Sequence, residues 1–304
     1  MRIEKAAIIG KGAVGLLYGD MIAQNIGPQA VQFAMDNERF ARHAGEIVRI
    51  NGKACDIETI PMSEAQPVDL VILACKAGGL QTAIDTMSPL VGPGTCIASL
   101  INGITSEQRV AERFGWEHLV LGICQGMDAV FLDGELTYTH TGEIRFGASA
   151  QTAPGVVEAI DEFYTRAGIT HVVEADPLRR MWVKLMLNVG INQTCMAYGG
   201  TYGSVSAPGE QQRCFIAAMR EALAVGRAEG IDLTEEDLAG MAALVASLDP
   251  SGMPSMAQDR INKRRTEVEE FAGTIRRLAS KHGILVPHND WLYQRIRNIE
   301  ESWG

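Results

Sequence analysis

Lys184, Asn188 and Asn192 fall four residues apart in RRMWVKLMLNVGINQ, the stretch from Arg179 to Gln193. On a helix, at about 100° per residue, they drift only about 40° per step and form one seam. Met181, Trp182, Val183, Leu185, Met186, Leu187, Val189 and Ile191 fill nearly every other direction. A helix that is apolar all round is normally buried, where an amine and two amides are costly without partners. Two uses fit the seam. The lysine can reach solvent along its stem while the amides bond to neighbouring helices. Alternatively, one cationic and two neutral donors face a polar ligand. Any chemistry that builds negative charge on a carbonyl oxygen needs a proton donor, the first half of the chain offers no convincing histidine for it, and a part-buried lysine can supply one.

A second constellation lies near the start. GKGAVG (Gly10, Lys11, Gly12, Ala13, Val14, Gly15) directly follows the apolar run KAAII and opens a helical stretch. In that context Gly10 permits a tight turn, Gly12 lets backbone approach a pyrophosphate, and Gly15 lets helix and strand pack closely, with the helix N-terminus facing the anion. Dinucleotide binding is the expectation. Asp36 ends the next strand-like run, 21 residues past Gly15, where a carboxylate can accept both adenosine ribose hydroxyls and favour NAD, or can merely cap the turn-like DNE. Arg39 and Arg42 follow Asp36 closely and Lys76 ends the next strand-like run, so a 2′-phosphate can still find cations.

Three further positions draw attention. Asn102 precedes Gly103 after a strand-like run; an Asn-Gly pair reads by default as a turn. Ser255 with Gln258 three residues on has the pattern of a capping box. Glu267, if one helix spans Ser255 to His282, lies near the direction of Met256, Phe271 and Leu278, although a surface pair with Lys263 or Arg264 is the more ordinary use.

The elements that must hold these residues change character along the chain. Up to about residue 175, short apolar runs (KAAIIG, VQFAM, DLVILAC, TCIASL, HLVLGICQG, GEIRFGA, THVVEADP) alternate with helical stretches, as in a parallel sheet with crossover helices. Beyond it helical periodicity dominates. Asp176-Pro177 makes a good helix start, and helices are expected over 209–229, 234–248, 255–282 and 288–301. The spacing therefore predicts an α/β domain over 1–175 and an all-helical domain over 176–304.

The 304 residues suffice for two domains, and 46% hydrophobic with 21% charged content is ordinary for a globular chain. A net charge of -10 disfavours nucleic acid as the main partner. The start lacks a secretory h-region and no run of about 18 apolar residues occurs, so no membrane association and a cytoplasmic location are expected. Six cysteines without a CxxC pair and six histidines without HxxxH spacing support neither a metal site nor a disulfide framework.

Taken in order, GKGAVG, Lys76 after a strand, Asn102-Gly103 after the next, the Lys184/Asn188/Asn192 helix and SMAQDRINKRRTE ending in Glu267 resemble the ketopantoate reductases (2-dehydropantoate 2-reductases) over essentially the whole chain. The last two motifs are the specific ones. The resemblance implies an N-terminal Rossmann-type, doubly wound parallel sheet plus a C-terminal all-helical domain for substrate and dimerisation, with cofactor and substrate in the cleft between them. It implies reduction of 2-dehydropantoate to (R)-pantoate by NADPH, a step toward pantothenate and coenzyme A. Carried over residue by residue, Lys184 looks like the general acid and Glu267 like a carboxylate that orients groups at the cofactor and substrate hydroxyls. Asn188, Asn192 and Ser255 look like substrate contacts, Asn102 like a contact to substrate and cofactor, and Lys76 like a cofactor contact beside the glycine loop. Asp36 stands where many members carry an arginine for the 2′-phosphate, which leaves NADH open as the cofactor. GICQGMDAVFLDG (Gly122–Gly134) departs from the usual wording, and no residue is carried over from it. The expected assembly is a homodimer through the helical half. A related reductase of another small 2-keto acid and a non-catalytic dinucleotide-binding sensor are the alternatives; the retained Lys184 and Glu267 speak against the sensor.

Overall fold

Three four-residue apolar runs are buried along their whole length: β1 (Ala6–Ile9), β6 (Leu70–Leu73) and β7 (Cys96–Ser99). Strands covered on both faces read this way rather than as alternating patterns. The computed structural model describes residues 1–43 and 45–303. Its remaining strands are β2 (Val31–Met35), β3 (Arg49–Ile50), β4 (Lys53–Ala54), β5 (Thr59–Pro61), β8 (Leu119–Met127), β9 (Val130–Leu132), β10 (Glu135–Thr137), β11 (Thr141–Ala148) and β12 (His171–Val173). Among the described residues the main sheet has eight strands in the order β12-β11-β8-β7-β6-β1-β2-β5. Neighbours run parallel except β11 against β8.

Helices cover both faces of this sheet. Ala6 and Ile8 pack with Leu16, Leu17 and Ile22 of α1 (Ala13–Asn25) and with Ile160 and Phe163 of α5 (Val156–Arg166). The alternate residues Ala7 and Ile9 pack with Leu80 and Ile84 of α3 (Leu80–Thr86) and Val110 of α4 (Ser106–Phe114). The period-two alternation of a strand thus sorts adjacent residues into two cores. The sheet is the expected doubly wound one. β1 pairs with β2 on one side and β6 on the other, so the strand order reverses there, and the carboxyl ends of β1 and β6 are where such folds bind ligands.

A small sheet of order β4-β3-β10-β9 accompanies it, without any expectation from sequence. Its signals were nevertheless present. Asn51-Gly52 (φ 45° and 82°) joins β3 to β4, and Asp133-Gly134 (φ 49° and 79°) joins β9 to β10. Both are two-residue hairpin turns needing positive φ twice, for which Asn-Gly and Asp-Gly are the preferred pairs.

The chain divides into two compact units, one of Met1–Ile101 with Thr105–Leu178 and one of Asn102–Ile104 with Arg179–Gly304. The second unit is helical: α6 (Pro177–Tyr198) enters it, followed by α7 (Tyr202–Ser206), α8 (Glu210–Ala228), α9 (Glu235–Ser247), α10 (Ser255–Ile261), α11 (Thr274–His282) and α12 (Pro287–Glu301). Trp182, Leu185, Met186, Val189 and Met196 of α6 are buried against Phe215, Met219, Phe271 and Leu292. Gly190 makes the closest approach: a Cβ there would sit 2.5 Å from Met219 Cγ and 2.7 Å from the Phe215 ring.

The single helix expected over 255–282 is corrected. α10 ends at Ile261, where Lys263 adopts φ 50° and the Arg264 N–H bonds back to the Asp259 carbonyl at 2.9 Å. The chain resumes after Thr266, whose N–H and hydroxyl both donate to Glu300. A π-helical turn, Glu269–Gly273, then leads into α11. Glu267 therefore lies in a bend before that turn, and its placement by helical wheel fails with the helix. Among the described residues, no helix is long and apolar enough to cross a membrane, and no group of three or more His, Cys, Asp or Glu is arranged to hold a metal ion. None of the six cysteines is in a disulfide.

Candidate functional site

The site-forming polar groups of the helical unit lie on two hydrogen-bonded chains. In the first, the Lys184 ammonium donates to Asn102 Oδ1 at 2.9 Å, and Asn102 Nδ2 donates to Glu267 Oε2 at 2.9 Å. All three side chains are part-buried. The asparagine amide is matched to its neighbours, its oxygen toward the cation and its nitrogen toward the carboxylate. Bonds to charged partners are the stronger kind. The Asn102-Gly103 dipeptide is a bend with Gly103 at φ 105°, and the asparagine's side chain does more than close the turn.

The second chain carries the two asparagines of the seam. Asn192 Oδ1 accepts from the Ser255 hydroxyl at 3.0 Å and from the Met256 N–H at 3.1 Å, and its Nδ2 donates to Asn188 Oδ1 at 3.2 Å. Two donors on the Asn192 oxygen fix which way that amide faces, and so make the Asn188 amide nitrogen the donor end of the chain. Asn188 and Asn192 are 8% and 5% exposed, so their burial is offset by these bonds. The capping-box expectation for Ser255 is corrected: Pro254 is the N-cap of α10, Ser255 is its first helical residue, and Gln258 donates to the Met253 carbonyl. Asn192 instead takes the helix's Met256 N–H.

The α/β unit holds the other group. Gly10 has φ 120°, and a Cβ there would meet Ala74 C and Cys75 N at 2.4 Å, so the loop after β1 lies directly on the end of β6. A Cβ on Gly15 would sit 1.9 Å from the Gly10 carbonyl oxygen. At Gly12, the N-cap of α1, an added Cβ would meet nothing within 4 Å. The backbone of Gly12 and the N-terminal turn of α1, through Ala13 and Val14, thus border open space, and that turn holds no acidic side chain. N–H groups at such a terminus suit an anion. The residues present therefore fit the phosphates of a dinucleotide.

Beside this loop a shallow groove is lined by Lys11, Phe33, Asp36, Arg39, Cys75 and Gly79 among others. The Lys11 ammonium donates to Thr59 Oγ1 at 3.0 Å and lies 5.5 Å from the centre of the Phe33 ring. Burial pushes the Cys75 thiol up to about 11, which leaves it protonated and unsuited to nucleophilic work. Lys76, just beyond the end of β6, is exposed.

Two profiles of one family match the chain, ketopantoate reductase PanE/ApbA over residues 6–151 and ketopantoate reductase PanE/ApbA C terminal over residues 176–300. The chain belongs to the ketopantoate reductase family. Among its family relatives, a 2-dehydropantoate 2-reductase of Caulobacter vibrioides is 29% identical over 287 residues, 93% of this chain and 94% of that protein. Two solved structures share the fold. A D-mandelate dehydrogenase in complex with NADH superposes with a TM-score of 0.87 at 22% identity, covering 99% of this chain and 100% of the other. A dimeric ketopantoate reductase from Staphylococcus aureus gives 0.83 at 21% identity, covering 99% and 100%.

Gln193, next to Asn192, escaped sequence reasoning. It is fully buried; its Oε1 accepts from the Ala272 N–H at 2.9 Å within the π-helical turn, and its Nε2 donates to the Val189 carbonyl and to Asn289. A glutamine in so apolar a helix was the available signal. It braces the turn that begins two residues after Glu267.

Proposed function

We propose that this chain catalyses the NAD(P)H-dependent reduction of a small 2-keto acid, with 2-dehydropantoate going to (R)-pantoate as the leading substrate. Family membership and the 2-dehydropantoate 2-reductase relatives support the reaction class. The observation that carries it is the Lys184–Asn102–Glu267 chain, which anchors an ammonium through a neutral amide to a carboxylate. Gly10, Lys11, Gly12, Ala13, Val14 and Gly15, with Asp36 and Lys76, would hold the dinucleotide. When bound, the reduced nicotinamide supplies the hydride to the keto carbon.

The chain's own residues supply the rest. Negative charge grows on the substrate oxygen during reduction, and an ammonium at hydrogen-bond distance both stabilises it and hands over the proton. Asn102 limits the positions open to Nζ by accepting one of its hydrogens. Glu267 fixes the Asn102 amide in the orientation that does so. Asn188, as the donor end of the second chain, binds a carboxylate or hydroxyl oxygen of the substrate without adding charge, while Asn192 and Ser255 complete the polar wall.

A related reductase of another small 2-keto acid is the second reading, favoured by the family's fold also serving a D-mandelate dehydrogenase. The test is turnover of purified protein with NADH and NADPH against a panel of 2-keto acids that includes 2-dehydropantoate and an aryl 2-keto acid. The highest kcat/KM is expected with 2-dehydropantoate; a better aryl substrate would move the assignment, and no turnover with any member would sink the enzyme reading. For assembly, we infer a homodimer through the helical unit. The S. aureus protein is dimeric, and Leu244, Leu248 and Trp291 are exposed apolar residues of that unit. Light scattering in solution tests it, with a monomer as the contrary result.

A further inference from the structure

Resting on the dinucleotide reading above, we propose that Asp36 makes this chain select NADH, whose adenosine ribose has a free 2′-hydroxyl, over the 2′-phosphorylated NADPH. Asp36 directly follows β2 and lines the groove beside the glycine loop, with its side chain only 18% exposed. Its Oδ1 accepts the Arg39 N–H at 2.9 Å, and its Oδ2 lies 3.5 Å from Arg39 Nε. The carboxylate is thereby pinned at the end of β2, where an acidic side chain can accept both hydroxyls of a ribose.

The cations nearby do not form a phosphate site. Among the described residues lining the groove, they are Lys11 and Arg39. Lys11 is engaged by Thr59 and the Phe33 ring. Arg39 is paired with Asp36, and its guanidinium crosses the groove to lie over Gly79, where an added Cβ would be 3.7 Å from both terminal nitrogens. The Asp36–Arg39 pair is therefore net neutral, and Arg39 is held by the carboxylate unless Asp36 is removed. A 2′-phosphate carries about two negative charges at neutral pH and would meet a fixed carboxylate at close range. Lys76 and Arg42 are exposed and line no part of this groove.

The experiment is equilibrium titration of the purified protein with NADH and with NADPH by calorimetry, with turnover measured in parallel. Wild type is expected to bind NADH at least about tenfold more tightly. Asp36→Ser keeps a side chain able to cap α2 (Asn37–His43), so the fold is retained. It should raise NADPH affinity and lower NADH affinity, narrowing or reversing the ratio, and adding Arg39→Ala should remove the NADPH gain. Wild type binding NADPH as tightly as NADH, or Asp36→Ser leaving the ratio unchanged, overturns the assignment. Binding of neither dinucleotide overturns it together with the glycine-loop reading, whereas tight NADPH binding overturns the selectivity alone.

Discussion

Asn102→Asp changes one atom of the central polar chain and reverses one of its bonds. The new carboxylate keeps an acceptor for Lys184 but sets an oxygen where Asn102 Nδ2 now stands, 2.9 Å from Glu267 Oε2. Two like charges at that distance repel by about 6 kcal/mol at an effective dielectric of about 20, and the partial exposure of both groups cuts this to about 2–3 kcal/mol. The lost amide–carboxylate bond adds about 1.5 kcal/mol, and a stronger bond from Lys184 returns about 1 kcal/mol. The expected deficit near neutral pH is thus about 3 kcal/mol, or roughly 5 °C in melting temperature if the 304 residues unfold together. Its sign with pH follows from linkage. Repulsion raises the folded pKa of the introduced carboxyl above its unfolded value of about 3.9, so the penalty is absent below about pH 4, grows as pH rises through the raised value, and is constant above it. Thermal melts and kcat measured across this range should show the gap to wild type closing on acidification. Adding Glu267→Gln puts an amide opposite the new carboxylate and should recover most of the loss. A gap that ignores pH, or a double variant no better than the single one, would show that Asn102 and Glu267 are not coupled as described.

The other predictions are more direct. Gly12→Ala should leave the melting temperature unchanged, since its Cβ meets nothing, yet weaken dinucleotide binding about tenfold or more in a titration. Gly190→Ala should cost about 1–3 kcal/mol in denaturant unfolding, because the new methyl overlaps Met219 and Phe215 in a packed interior. Ser255→Ala removes one of two donors to the Asn192 oxygen and should raise KM for the keto acid up to about tenfold, with dinucleotide affinity kept. Asp237 accepts two bonds from Arg179 and caps α9 through Thr234; its carboxyl is part-buried, which alone would raise its pKa, but these bonds hold it below the usual range. The stability it contributes is present above its unfolded pKa of about 3.9 and lost as pH falls through the lower folded value, so Asp237→Asn should narrow the acid limb of a stability profile.

How much of this was legible in sequence depended on the range of the interaction. The glycine loop announced itself because strand, turn and helix are contiguous, and the seam did because four-residue spacing on a helix is a local rule. Asn102 did not: an Asn-Gly pair states a turn, and only folding brings its side chain to Lys184 and Glu267, 82 and 165 residues away. Glu267 was singled out through a helix that does not exist, since the left-handed Lys263 and the Thr266–Glu300 bonds break it. Ser255 looked self-sufficient as a cap, whereas its partner is Asn192 on another helix. The Asn51-Gly52 and Asp133-Gly134 turns were readable and were passed over because the strands flanking them are only two or three residues long.

The most direct measurement is Lys184→Ala assayed for turnover and for dinucleotide binding in the same preparation. If Lys184 is the proton donor held by Asn102, kcat with the best 2-keto acid should fall by about 10²–10⁴ while the dinucleotide dissociation constant changes little. Turnover that survives the substitution, in a protein that still binds the dinucleotide, would contradict the role assigned to Lys184.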